Sequence, residues 1–90
     1  MLCVKRLKFI RGEKRMDMNQ YEKYRKLGLN IAYYRKDRKY TQLVLAEHLD
    51  IDRTHIQKIE TAVAAPSLDL MFLMSDVLKV PVHKFFEFRD

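Results

Sequence analysis

From residue 19 onward the apolar positions of this chain recur at three- and four-residue intervals, the spacing of one helix face. A first helix is predicted to open at Asn19, an N-cap residue with Glu22 three places on in the capping-box arrangement. Tyr24, Leu27, Ile31 and Tyr34 form its apolar stripe, and the pattern fades near Lys39. Gly28 on that helix either costs stability or admits a close approach by another helix. Thr41 caps a second helix, with Tyr40 and Leu45 in the N′ and N4 positions of a hydrophobic staple. Leu45, Ala46 and Leu49 are its apolar face, and it ends at Asp50. Asp52 caps a third, with Ile51 and Ile56 as the staple and Ile56 and Ile59 facing inward. Pro66 terminates the preceding segment and Ser67 caps a fourth helix. In that fourth helix Leu70, Met71, Leu73, Met74, Val77 and Leu78 cover much of the circumference and mark it as central to the core. Val80 and Pro81 break it, and residues 83–88 form a last short helix. The pattern predicts five helices and no confident strand.

Residues 1–18 differ from the rest. They are basic and lack helical periodicity, with Leu2, Val4, Leu7 and Phe9 compatible with short extended pieces. Met16 and Met18 each offer a start, and RGEK just upstream can be encoded by a purine-rich stretch resembling a bacterial ribosome-binding site. On this reading residues 1–18 are an irregular basic extension that need not belong to the natural protein, and residues 19–90 are the domain.

Composition narrows the class. Ninety residues close one modest core. With 48% hydrophobic and 33% charged residues the chain is globular, and two Gly and two Pro are too few for a turn-rich sandwich. The single cysteine, Cys3, excludes an internal disulfide and a Cys-based zinc site. No run approaches the roughly 20 apolar residues of a membrane span, and MLCVKRLKFI is too interrupted by charge for a signal peptide. The expectation is a soluble protein of the bacterial cytoplasm, associated with the nucleoid. The net charge of +6 points to a polyanion. It is uneven: residues 1–20 carry +4 and residues 22–39 carry +5, while the later segments are slightly acidic.

The informative constellation surrounds Asp50. Ala46 is small where two helices cross closely, and Asp50 stands where the chain must turn sharply through a left-handed conformation that Gly, Asn and Asp best tolerate. Ile56 and Ile59 pin the second member to the core. These offsets describe two short helices at roughly 90–120° joined by a tight turn, a helix-turn-helix.

Residues 24–86 resemble the Cro/C1-type (XRE-type) helix-turn-helix domain of bacterial and phage repressors. The stretches that carry the likeness are LGLNIAYYRKDRKYTQ, LAEHLDIDRTHIQKIE and PSLDLMFLMSDVLKVP. The resemblance implies an all-α, compact five-helix lambda-repressor-like DNA-binding domain whose third helix, about residues 53–61, enters the major groove of double-stranded DNA. It gives Thr41 and Gln42 a place at the start of the second helix, where the family Gln bonds a phosphate and braces the recognition helix. Arg53, Thr54, Gln57 and Lys58 match its outward positions, with His55 a further contact to phosphate or base. Arg35 and Glu60 match an internal salt bridge. The chain departs from the pattern at Asp50 and Ala62, both positions usually held by Gly. Either Ala62 adopts a strained positive φ or the third helix runs longer. The 62–65 loop lacks basic residues, so Arg38, Lys36 and Lys39 are the expected sources of extra phosphate affinity.

Plainer readings stand beside these. Arg53 and Lys58 could be solvated charges, and Gln42 could merely cap its helix. Tyr21, Tyr24, Tyr33, Tyr34 and Tyr40 suggest a stacking stripe for single strands, but Tyr24 and Tyr34 share the core stripe. Met71 and Met74 read as core. His48, His55 and His83 share no ligand spacing, and no catalytic set, phosphate loop or cofactor is read. The sequence-level conclusion is a DNA-binding transcriptional regulator rather than an enzyme, a repressor acting as a homodimer through Phe85, Phe86 and Phe88, with no small-molecule ligand. The alternative is a protein-interaction module such as an antitoxin or accessory factor.

Overall fold

The computed structural model describes residues 20–88. Four α-helices run in order: α1 (Tyr21–Asp37), α2 (Gln42–Leu49), α3 (Arg53–Glu60) and α4 (Leu68–Leu78). The fifth element, expected as a last short helix over residues 83–88, is a 3₁₀ helix, Val82–Phe86. The extension of residues 1–18 and the Asn19 cap lie outside the described residues. Gln20 precedes α1 without a side-chain cap bond. Glu22 pairs with Arg25 one turn on, which lowers the Glu22 carboxyl below its ordinary range.

Two of the three remaining caps form as the sequence requires. The Thr41 hydroxyl accepts from the Val44 N–H and the Ser67 hydroxyl from the Leu70 N–H, each satisfying a donor orphaned at the helix start. Asp52 occupies the N-cap of α3 but its side chain makes no cap bond.

All four helices end alike. The chain leaves each through a left-handed conformation, at Lys39, Asp50, Ala62 and Lys79, with φ between 57 and 64°. After α3 the Val63 N–H reaches the Lys58 carbonyl and the Ala62 N–H reaches Ile59, the paired bonds of a Schellman motif. The Ile51 N–H to the Ala46 carbonyl and the Val80 N–H to Ser75 repeat it after α2 and α4. So the third helix does not run on through residue 62. Ala62 carries the positive φ, buried and without the glycine that the position favours.

The core is a single cluster that draws on every helix. Leu27 and Ile31 come from α1, Leu45, Ala46 and Leu49 from α2, Ile56 and Ile59 from α3. Leu70, Met71, Met74 and Leu78 line the inner face of α4, and Phe85 closes the cluster from the 3₁₀ helix. Tyr34 packs edge-on against Phe85, so the aromatic stripe of α1 serves packing at this point. Leu73 lies on the outer flank of α4 and is 49% exposed, as is Phe72, because the inner face is already filled by Leu70, Met74 and Leu78.

Phe85 is likewise corrected as a candidate for an intermolecular surface. It is wholly buried, while Phe86 is half exposed and Phe88 leans partly buried on the core. Asn30 holds this end in place. Its buried side-chain amide donates to the carbonyls of Phe85, at 2.9 Å, and Glu87, at 3.2 Å.

Candidate nucleic-acid interface

The turn between α2 and α3 sets the site. Asp50 in its left-handed conformation reverses the chain within a few residues, and buried Ala46 lets the helices meet closely. The reversal brings the first residue of α2, Gln42, beside the first residue of α3, Arg53. The Arg53 Nη1 donates to the Gln42 Oε1 at 3.2 Å.

Helix α3 divides cleanly. Ile56, Ile59 and Glu60 face the core, whereas Arg53, Thr54, His55, Gln57 and Lys58 are all exposed. Eight residues at about 1.5 Å each make a rod of roughly 12 Å. Its outward side chains can donate and accept at base edges: a guanidinium matches guanine O6 and N7, and a carboxamide matches adenine N6 and N7.

Behind that face stands a buried ion pair. The Arg35 Nε donates to the Glu60 Oε2 at 2.6 Å and the Nη2 to Oε1 at 3.0 Å, with side chains 8% and 5% exposed. The third arm, Nη1, donates to the Tyr40 carbonyl at 2.8 Å, so one guanidinium ties α1 to the end of α3 and to the approach to α2. The Gln42 Nε2 completes the carboxylate's shell, donating to the Glu60 Oε1 at 3.0 Å. Arg35 can reach Glu60 because α1 lies almost against the end of α3. A Cβ on Gly28, seven residues before Arg35, would stand 2.6 Å from the Glu60 carbonyl oxygen and 2.7 Å from that of Ile59.

The structure therefore brings Arg35, Thr41, Gln42, Arg53 and Glu60 together and sets Thr54, His55, Gln57 and Lys58 on the adjoining face. Arg38 donates from Nε to the Leu78 carbonyl at 2.7 Å, closing the end of α4, while its guanidinium stays exposed. Lys36 and Lys39 remain exposed. Sequence reasoning missed Asn30, though it had a signal, a polar residue at the spacing of the stripe between Leu27 and Tyr34. The resemblance implied that Gln42 braces the recognition helix but did not name Arg53 as its partner. Among the described residues no group of three His, Cys, Asp or Glu could hold a metal ion, and no helix is long and apolar enough to cross a membrane.

Solved structures share this architecture. The restriction-modification controller protein C.AhdI from Aeromonas hydrophila superposes with a TM-score of 0.71 at 21% identity, covering 73% of this chain and 100% of that one. A hypothetical transcription factor from Neisseria matches at 0.67 and 20% identity, covering 83% and 84%. The biofilm master regulator SinR, crystallised in complex with DNA, matches at 0.64 with 31% identity, covering 68% of this chain and 98% of that one. No curated protein sequence matches it. A model of the helix-turn-helix family matches residues 31–85. With the tight turn at Asp50, the split faces of α3 and that match, the chain belongs to the Cro/C1-type helix-turn-helix family of DNA-binding transcriptional regulators.

Proposed function

We propose that this chain is a sequence-specific double-stranded DNA-binding regulator that places α3 in the major groove. The observation that carries the reading is the division of α3, with every outward residue polar and the first of them, Arg53, tethered to Gln42. Arg53 and Gln57 would read bases, the Thr54 methyl would meet a thymine, and Lys58 and His55 would reach phosphate or base edges. The α2 start would take a phosphate. The Thr41 hydroxyl, having accepted from Val44, still has a proton to donate, and the Gln42 Nε2 has a second N–H beyond the one given to Glu60. Residues 40–60 are net acidic, so Lys36 and Lys39 on the α1 side would supply cationic charge. Occupying base pairs in the major groove excludes other proteins from them, and repression is the mode that needs nothing more.

The reading includes a homodimer, since one domain covers few base pairs. Phe86 and Phe88, with Tyr24 and Leu27, line a mostly apolar groove of about 260 Å³ rimmed by Gln20 and Lys23, the surface proposed to meet a second copy. Selection of sites from random duplex DNA tests both parts. The expected output is a palindrome with half-sites about 34–36 Å apart. Bulk duplex binding should fall steeply with salt. Flat, negligible binding at low salt would remove the DNA reading in favour of a protein-interaction module.

A further inference from the structure

The outer faces of α1 and α4 carry one pattern with opposite charge. On α4, Phe72 stands between Asp69 and Asp76, with Leu68 one turn before it; all are exposed, Leu68 by 64%. On α1, Leu29 stands between Arg25 and Lys36, with Tyr33 one turn after it; these too are exposed, Leu29 by 53%. We propose that the two faces meet between copies: the α1 face of one chain docks on the α4 face of the next, head to tail, through a contact separate from the groove of Phe86 and Phe88.

Apolar side chains grouped on an exposed face mark an interaction surface, whereas scattered ones need no explanation. Residues three, four and seven apart share one side of a helix, so each face is a continuous strip. Neither strip is covered by the helices around it. α1 packs on α3 and the 3₁₀ helix, and α4 on α2 and the 3₁₀ helix, each turning its inner side to the one core. The outer sides point away from that core and are left to another molecule. Charge selects which. Pairing α4 with α4 would set carboxylate against carboxylate, and among the described residues neither Asp69 nor Asp76 has a cation in ion-pair contact. The α1 side is cationic: Glu22 holds Arg25 and Asp37 follows Lys36, but Arg25, Lys26 and Lys36 outnumber them. At about 1.5 Å per residue the two carboxylates stand roughly 10 Å apart along α4, and Arg25 and Lys36 roughly 16 Å apart along α1. Those two long side chains can lean inward over the difference while their stems cover apolar surface. Leu29 and Tyr33 then lie against Leu68 and Phe72. Because the two surfaces differ, the contact is heterologous and can repeat from copy to copy.

Sedimentation velocity of the full chain without DNA, over rising concentration, tests this independently of the DNA reading and of the groove. The parent should form species larger than a dimer, and Phe86→Asp, which spoils the groove, should still associate as concentration rises. Leu29→Glu sets a carboxylate against Asp69 and Asp76, and Phe72→Lys sets an ammonium against Arg25 and Lys36. Each alone should weaken the head-to-tail step by about tenfold or more, with a thermal midpoint near that of the parent. Mixed together, the two variants should recover it, since the new carboxylate then faces the new ammonium. Should either fail to fold, Arg25→Glu and Asp76→Lys, exposed on the same faces, make the same comparison. A parent that never exceeds a dimer together with a monomeric Phe86→Asp chain overturns the contact. So does association that neither substitution weakens, or a mixture no better associated than its components.

Discussion

Gly28→Ala pits two opposite effects against each other, and the structure decides between them. In an open helix the substitution would stabilise by about 1 kcal/mol, since Ala is the best helix former and Gly among the worst. Here the new methyl would sit 2.6 Å from the Glu60 carbonyl oxygen, 2.7 Å from the Ile59 carbonyl oxygen and 2.9 Å from the Glu60 carbonyl carbon. Ordinary contact begins at 3.4 Å, so α1 and the end of α3 must part by about 0.8 Å, the difference between 3.4 and 2.6 Å. All three obstructing atoms are backbone, and no side chain can swing away to relieve them. Overpacking of this kind costs roughly 1–3 kcal/mol. The separation also stretches the Arg35–Glu60 bonds, at 2.6 and 3.0 Å, which a buried pair tolerates poorly. Subtracting the propensity gain leaves about 0–2 kcal/mol from overpacking, and the stretched ion pair brings the expected net loss to the upper part of that range, about 1–2 kcal/mol. For a domain of this size that is a fall of roughly 4–16 °C in Tm. Urea and thermal unfolding monitored by circular dichroism measure it, with Lys23→Ala on the exposed face of the same helix as the control. A Gly28→Ala protein as stable as the parent, or more so, would refute the close-approach argument.

The same geometry sets three further outcomes. Arg35→Ala leaves the Glu60 carboxylate buried without its ion partner and should destabilise by about 3–5 kcal/mol in urea titration, while Arg35→Met combined with Glu60→Leu should cost less than Arg35→Ala alone. Lys39→Gly and Lys79→Gly should each stabilise by about 0.5–1 kcal/mol, since both side chains are exposed and hold a left-handed φ that glycine adopts freely; additive rises in Tm check this. Asn30→Ala strands the carbonyls of Phe85 and Glu87 and should cost about 1–3 kcal/mol, with amide exchange rising first over residues 82–88.

Much of the fold was legible in the chain because its information is local. Thr41 and Ser67 cap their helices as their positions demand, and the stripe of Leu27 and Ile31 faces inward because helical spacing leaves those residues no other face. In α4 the wide apolar surface left less to read, yet Asp69 and Asp76, seven residues apart and both exposed, mark its outward side, and Leu73 between them faces out with them. Phe85, Phe86 and Phe88 share a composition and differ in role, since the short 3₁₀ turn points only Phe85 into the cluster.

The site divides along the same line. Residue order alone settled which groups of α3 face outward, because outward positions on a short helix are dictated by where Ile56 and Ile59 must be buried. It also singled out Asp50 as a turn position, since few residues tolerate a positive φ, whereas Ala62 was raised only by the resemblance, as one of two alternatives. Packing in three dimensions was needed to assign Arg38 to the end of α4, Asn30 to the C-terminal segment, and Gln42 to the link between Glu60 and Arg53. Those bonds join residues 11 to 57 places apart. No local preference encodes them. They exist because Gly28 lets α1 settle onto α3 and Asp50 folds α3 back on α2, which places hydrogen-bonding groups within about 3 Å of partners the chain order keeps far apart.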